Sequence, residues 1–132
     1  VELKEKKDRV EDAIYATKAA LKEGIVPGGG IALLNAAQEI TPSNWGEEIL
    51  LNAIKSPYHV ILDNAGIENQ DEPMLGQGIN VTNGELCEMI QAGIIDPVLV
   101  TKSALKNAVS VVTTIISADC IISNMRGDES SK

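Results

Sequence analysis

Few residues in this chain have the types and spacing that could do chemistry. Three consecutive glycines, Gly28 to Gly30, stand inside EGIVPGGGIALLN, between one helical pattern and the next. Backbone without side chains can enter the left-handed region and lie directly against a ligand. The helix behind the triplet points free N–H groups and a positive dipole end at the turn, which is the physics of an anion or phosphate site. The triplet matches neither the GxGxxG of dinucleotide folds nor the phosphate-loop pattern, and a plain helix–turn–helix joint uses glycines in the same way. Carboxylates are the other candidates. Asp12 lies about 160° around its helix from the apolar stripe, on the far face. Asp96, in Ile94-Ile95-Asp96-Pro97, has the place of an N-cap with Pro97 at the first helical position. On spacing alone these two are a surface acid and a cap. His59 is the one histidine, lies in an apolar helix and reads as structural. No Cys–His pair, HExxH or CxxC is present, so the sequence carries no nucleophile–base or metal signature.

The elements that must position these residues follow from periodicity. Residues 2–23 read as one helix with Val10, Ala13, Ile14, Thr17 and Leu21 in a stripe and a solvated, pair-forming surface of mixed charge. Gly24 stops it. A second helix, 31–39, is apolar on nearly every side and therefore buried. Ser43 is placed to cap a third helix, 44–55, and Ser56-Pro57 to start a fourth, 58–64, which Gly66 stops. From Ile67 to Gly84 the period fails, and the reading there is an irregular excursion with a short strand at Ile79–Val81. A helix over 85–92 follows, stopped by Gly93. The longest apolar pattern, 97–117, is expected to be the central core helix. The run Asp119–Asn124 is a short strand that needs a partner, and RGDESSK is a polar, disordered tail.

Composition narrows the function classes. The 132 residues suffice for one domain with a core. With no Phe, that core must be built from Ile, Leu, Val and Ala. A net charge of −8 and the lack of a basic stripe exclude nucleic acid as a partner. Cys87 and Cys120 are far apart and read as reduced, buried thiols. No signal peptide is visible, and no apolar run reads as a membrane span. The chain begins at Val1 inside a helical pattern without a cap; that reads as a piece of a longer protein.

The order RVEDAI, AT, AAL, EGIVPGGGIAL, then a GIN turn, then MIxAGIIDPxxVTKSALxxAxSV, resembles the C-terminal quarter of the group I chaperonins, the GroEL type, from Val1 to about Met125. The resemblance implies a mainly α fold. It would be the C-terminal half of the equatorial helical bundle with a short C-terminal β-strand, preceded by a long intermediate-domain helix. In that scheme residues 1–23 are the intermediate-domain return helix, 24–125 the C-terminal part of the equatorial ATP-binding domain, and 126–132 the tail. Family members bind ATP with Mg²⁺ and hydrolyse it to drive folding of captured, unfolded client proteins. They form stacked seven-membered rings of identical subunits and take a co-chaperonin lid. Bacterial cytoplasm is the first expectation for location, with mitochondrial matrix and plastid stroma as the alternatives.

Residue by residue, the resemblance makes Asp12 the catalytic aspartate that swings over the nucleotide and orients the attacking water. Gly28, Gly29 and Gly30 match the glycine turn against the nucleotide, with Gly29 in direct contact. Asn80 and Val81 match the pair lining the adenine site, Ile94 an apolar contact to the base, and Asp96 the acceptor of ribose hydroxyls. The metal ligand falls outside this segment, as do the family's GDGTT phosphate loop and its apical client-binding face. Pro27 replaces a small residue, GINV replaces GYNA, and the stretch from Gly66 to Ile79 is shorter than the family norm. The strand Cys120–Asn124 is expected to pair with a neighbouring subunit. The segment alone is expected to be inactive as an ATPase; the alternative reading is a stand-alone helical interaction module.

Overall fold

The computed structural model describes residues 2–68, 71–120 and 122. The elements run α1 (Glu2–Glu23), β1 (Ile25–Pro27), α2 (Ile31–Glu39), α3 (Trp45–Ala53), α4 (Ser56–Asn64), β2 (Gln77–Asn80), β3 (Glu85–Glu88), β4 (Ile95–Pro97) and α5 (Val98–Ile116). The expected mainly helical architecture holds. Two compact units divide between Thr101 and Lys102.

In the first unit, α1 is a 22-residue helix whose charged side chains pair at i,i+4: Lys6 with Glu2, Arg9 with Glu5 and Lys7 with Glu11. Each such pair adds only about 0.3–0.5 kcal/mol on an exposed face. The apolar stripe is exposed at Val10, Ile14 and Leu21, while Ala19 is buried and Ala16 and Ala20 are half-buried. Small side chains near the C-terminal end of α1, not the large ones of the stripe, make its packing face.

The core joins Ile31 and Leu34 of α2 to Tyr58 and Leu62 of α4 and to Met89, with Ile67, Ile79, Cys87 and Ile94 packed against it. Burial of each large aliphatic side chain contributes about 1.5–3 kcal/mol. His59 is half-buried, with its ring edge-on to Tyr58 at 5.5 Å. Helix starts differ from expectation by one or two residues. Asn44, not Ser43, caps α3: its Oδ1 accepts from the Glu47 N–H at 3.0 Å. Ser43 instead donates its N–H and its hydroxyl to Glu47 Oε2, both at 2.7 Å, which satisfies the turn reciprocally. α4 begins at Ser56 behind Lys55, with Pro57 in its first turn.

Two short antiparallel ladders hold the rest. β1 pairs with β4, Val26 opposite Asp96, and β2 pairs with β3, Ile79 opposite Leu86. The helix expected over 85–92 is therefore corrected to a strand and a turn. Asn80 and Asn83 side chains fold the chain back on itself over Val81–Gly84, and the returning residues find a β2 partner at once. An eight-residue helix is marginal in water and loses to that pairing. The irregular stretch before β2 is tied down where Glu72 accepts from Lys55 Nζ at 2.8 Å and from Gln38 Nε2 at 3.3 Å.

α5 overturns the expectation of a central core helix: none of its 19 residues is buried. Val111 and Val112 are exposed, as are Ile115 and Ile116. By length and composition α5, with a mean hydropathy of 1.2, is long and apolar enough to cross a membrane, contrary to the reading that no run was. Its polar side chains are nonetheless ordered. Lys102, Lys106, Ser110 and Thr114 recur every four residues along one stripe, the pattern of an amphipathic helix. Cys120 is exposed rather than buried, and Cys87 is half-buried. Asp119, Cys120 and Ile122 carry no strand. The remainder of the expected 119–124 strand, and the tail expected over 126–132, lie outside the described residues.

Candidate functional site

The β1–β4 ladder brings two sequence signals together across some seventy residues. The Gly28 N–H donates to the Ile94 carbonyl at 2.9 Å, and the Ile94 N–H donates to the Met89 carbonyl at 2.8 Å. The glycine turn thus lies directly on the segment that carries Asp96. Each glycine of the triplet has its own reason. A Cβ on Gly28 would stand 3.1–3.2 Å from the backbone of Ile94 and Ile95. Gly29 has φ +65° and faces the Met89 methyl, 3.0 Å from the Cβ position. Gly30 has φ +80°, and a Cβ there would come within 2.7 Å of the Tyr58 nitrogen and 2.9 Å of its Cα. No other residue lets the start of α2 approach the first turn of α4 so closely.

Beside this turn is a cleft of about 190 Å³ lined by Gly29, Tyr58, Ile61, Leu62, Ile79, Asn80, Val81, Thr82, Met89 and Ile94. Four of the residues singled out from sequence, Gly29, Asn80, Val81 and Ile94, meet there. Gly28, Gly30, Asp96 and Asp12 do not line it. Gly28 and Gly30 shape its wall from behind by the close approaches just described. Asp12 is exposed on α1. Asp96 is half-buried in β4, where the backbone of 95–97 is taken up by β1; α5 starts only at Val98. The N-cap role expected of Asp96 is thereby corrected: among the described residues its carboxylate has no hydrogen bond to the first turn of α5. Burial pushes this carboxyl above the usual aspartate range. A half-buried acid shifted in this way is a candidate for a functional position.

Tyr58, Ile61 and Met89 were missed by sequence reasoning. Tyr58 and Ile61 lie in an ordinary amphipathic pattern, and Met89 sat in a stretch read as helix. Only the β2–β3 pairing carries it under the glycine turn.

The sequence profile of the TCP-1/cpn60 chaperonin family matches residues 1–126. The chain belongs to this family. It is 44% identical to chaperonin CPN60-2, mitochondrial, of Cucurbita maxima over 97% of its own length, and 43% identical to CPN60-1 of the same organism. It is thus a segment of group I chaperonin type, and it spans about a quarter of the length of these curated relatives. The alignment with CPN60-2 extends over 144 residues, more than the chain's 132, so the relative carries residues that this chaperonin segment lacks. Among solved structures, a group III chaperonin in the open state superposes with a TM-score of 0.68 at 27% identity, over 79% of this chain and 25% of that one.

Proposed function

We propose that this segment supplies one wall of the ATP site of a ring-forming, protein-folding chaperonin. The observation that carries the reading is the cleft. Gly29, Asn80, Val81 and Ile94, which the family resemblance marks for nucleotide contact, line one hollow although they lie up to 65 positions apart. Its volume of about 190 Å³ falls below the roughly 300 Å³ at which sites for whole drug-sized ligands begin. Its mostly apolar lining, with Tyr58 and Met89 among the aliphatic side chains, fits the faces of a purine rather than a triphosphate. It is therefore read as a base subsite completed by residues beyond this segment. Residues 1–23 are read as the intermediate-domain return helix and 24–125 as the C-terminal part of the equatorial domain.

In this reading Asp96, half-buried, accepts hydrogen bonds from the ribose hydroxyls, which relieve its desolvation. Gly29 lets the backbone lie against the nucleotide. Asp12, on the exposed side of α1, orients the attacking water when its helix closes over the site, so that closure gates hydrolysis. Mg²⁺, when bound, neutralises charge developing on the transferred phosphoryl group. Among the described residues no three metal-ligating side chains meet, and its ligand is assigned to the rest of the subunit. The exposed apolar faces of α5 and α1 suit contacts with other parts of a larger assembly. Identical subunits in seven-membered rings, a co-chaperonin lid and unfolded clients complete the proposal. The mitochondrial names of the relatives favour the mitochondrial matrix over the bacterial cytoplasm.

The test is Asp12→Ala in the assembled full-length protein. Turnover is expected to fall about 100-fold or more, within the range for a positioned acid–base group, while ATP affinity stays within about threefold. Unchanged turnover would remove Asp12 from the mechanism, and loss of binding with turnover would make its role structural.

A further inference from the structure

The turn that joins β2 to β3 holds two asparagines in one geometry but with different neighbours. Asn80 Oδ1 accepts from the Thr82 N–H at 3.0 Å, and Asn83 Oδ1 accepts from the Glu85 N–H at 3.1 Å. Each carboxamide is thereby folded back over the peptide that follows it. Asn80 is followed by Val81, whose branched side chain crowds that peptide. Asn83 is followed by Gly84, and no other asparagine in the chain precedes a glycine. Residues 81–85 are exposed. A Cβ on Gly84 would have nothing within 4 Å, so the space beside its backbone is open. The Asn83 carboxamide is also engaged at its nitrogen: Nδ2 donates to the Glu85 carboxylate at 2.9 Å.

We propose that Asn83 is a site of self-modification: the Gly84 peptide nitrogen displaces the side-chain nitrogen of Asn83, and water carries the product to aspartate or isoaspartate. The Gly84 nitrogen gives its proton to solvent and bonds to Asn83 Cγ, closing a five-membered ring. Negative charge that develops on Oδ1 faces the Glu85 N–H, a donor already in place. The Glu85 carboxylate, seated on the leaving nitrogen, relays a proton from water to Nδ2. The Cγ–Nδ2 bond breaks and ammonia leaves. Water then opens the succinimide at either of its carbonyls. The sum is hydrolysis of an amide, with water consumed, ammonia released and nothing oxidised or reduced. In the folded turn the Gly84 N–H donates to the Asn80 carbonyl at 2.8 Å, so attack follows the opening of that bond. Conversion sets two carboxylates against each other where Asn83 and Glu85 share a hydrogen bond. Isoaspartate also adds a methylene to the backbone of a turn whose Asn80, Val81 and Thr82 line the cleft.

The experiment is ageing of the assembled full-length protein at neutral pH, wild type against Glu85→Gln, with peptide mapping by mass spectrometry. Asn83 is expected to convert about tenfold faster than Asn80, or more, because the two share a hydrogen-bond geometry but only Asn83 has an unhindered nucleophile beside it. Aspartate and isoaspartate are both expected at this position, since the ring opens either way. Glu85→Gln keeps the N–H donor and an oxygen for Nδ2 but cannot relay a proton, and is expected to slow conversion about tenfold. Conversion at Asn83 no faster than at Asn80 overturns the site. Aspartate without isoaspartate overturns ring closure by Gly84, and an unchanged rate in folded Glu85→Gln overturns the part given to the carboxylate.

Discussion

The glycine turn and helix α5 make opposite cases. The turn has almost no side chains, yet three steric demands converge on it: the Ile94–Ile95 backbone on Gly28, Met89 on Gly29 and the Tyr58 backbone on Gly30. α5 carries the strongest apolar pattern in the chain, yet buries none of its residues. A positive φ with a close backbone neighbour is a local fact, complete within the segment that contains it. An apolar stripe states only that a face wants cover, and it is silent about which chain provides it.

The sharpest way to break this comparison is at the turn. Gly30→Ala meets two costs together, overlap with the Tyr58 backbone and a left-handed conformation, and is expected to destabilise by about 2–5 kcal/mol. Gly24→Ala is the control. Its φ is +87°, but an added Cβ has nothing within 4 Å, so only the conformational cost of about 1–2 kcal/mol remains. Denaturant midpoints of the two variants measure the difference. Equal losses would mean that α4 yields, and that the approach at Gly30 is not a constraint.

The same contrast explains what was legible in the sequence. Helix extents came from periodicity and stop residues such as Gly24 and Gly66, and the main errors at their starts were one- or two-residue shifts, as with Asn44 for Ser43. The cleft was half legible: Gly29, Asn80, Val81 and Ile94 through family resemblance, but not Tyr58, Ile61 or Met89. The β1–β4 ladder was not legible, because three-residue strands have no period to read and pairing across seventy residues leaves no local mark. That ladder is also why Asp96 looked like a cap. An aspartate before a proline has the same local chemistry whether its backbone opens a helix or closes a strand.

Two carboxylates, Glu72 on the surface and Asp96 half-buried, extend the comparison to pH. Glu72 is held below the usual glutamate range, first by its hydrogen bond from Lys55 and also by Gln38. Its folded pKa is depressed, so its contribution is present above the ordinary glutamate value and is lost as pH falls below about 4.3. Asp96 is raised by burial. The sign reverses: the native state holds the proton longer than the unfolded chain, so Asp96 costs stability as pH rises above the ordinary aspartate value of about 3.9. Glu72→Gln is therefore expected to lose about 1 kcal/mol at pH 7 and little at pH 3. Asp96→Asn is expected to be neutral or stabilising at pH 7, because it removes a charge that burial disfavours. Unfolding free energies of both variants across this range check the signs. An Asp96→Asn variant destabilised at pH 7 would mean that the carboxylate has a structural partner.

The smallest effect tests α5. Val112 is 50% exposed, so Val112→Ser in the 132-residue chain is expected to change unfolding free energy by less than about 0.5 kcal/mol. In the full-length protein the same substitution is expected to cost about 1–3 kcal/mol, because a covered face would bury an unsatisfied hydroxyl in place of two methyl groups. The two measurements are informative only together. A small effect in both would mean that this face meets solvent in the whole protein, and that the apolar pattern of α5 specifies no partner. A large effect in both would mean that the chain itself covers α5. A small effect that becomes large ties the stripe to residues outside this segment. The difference between turn and helix then becomes one between a constraint satisfied within the segment and one that the segment exports.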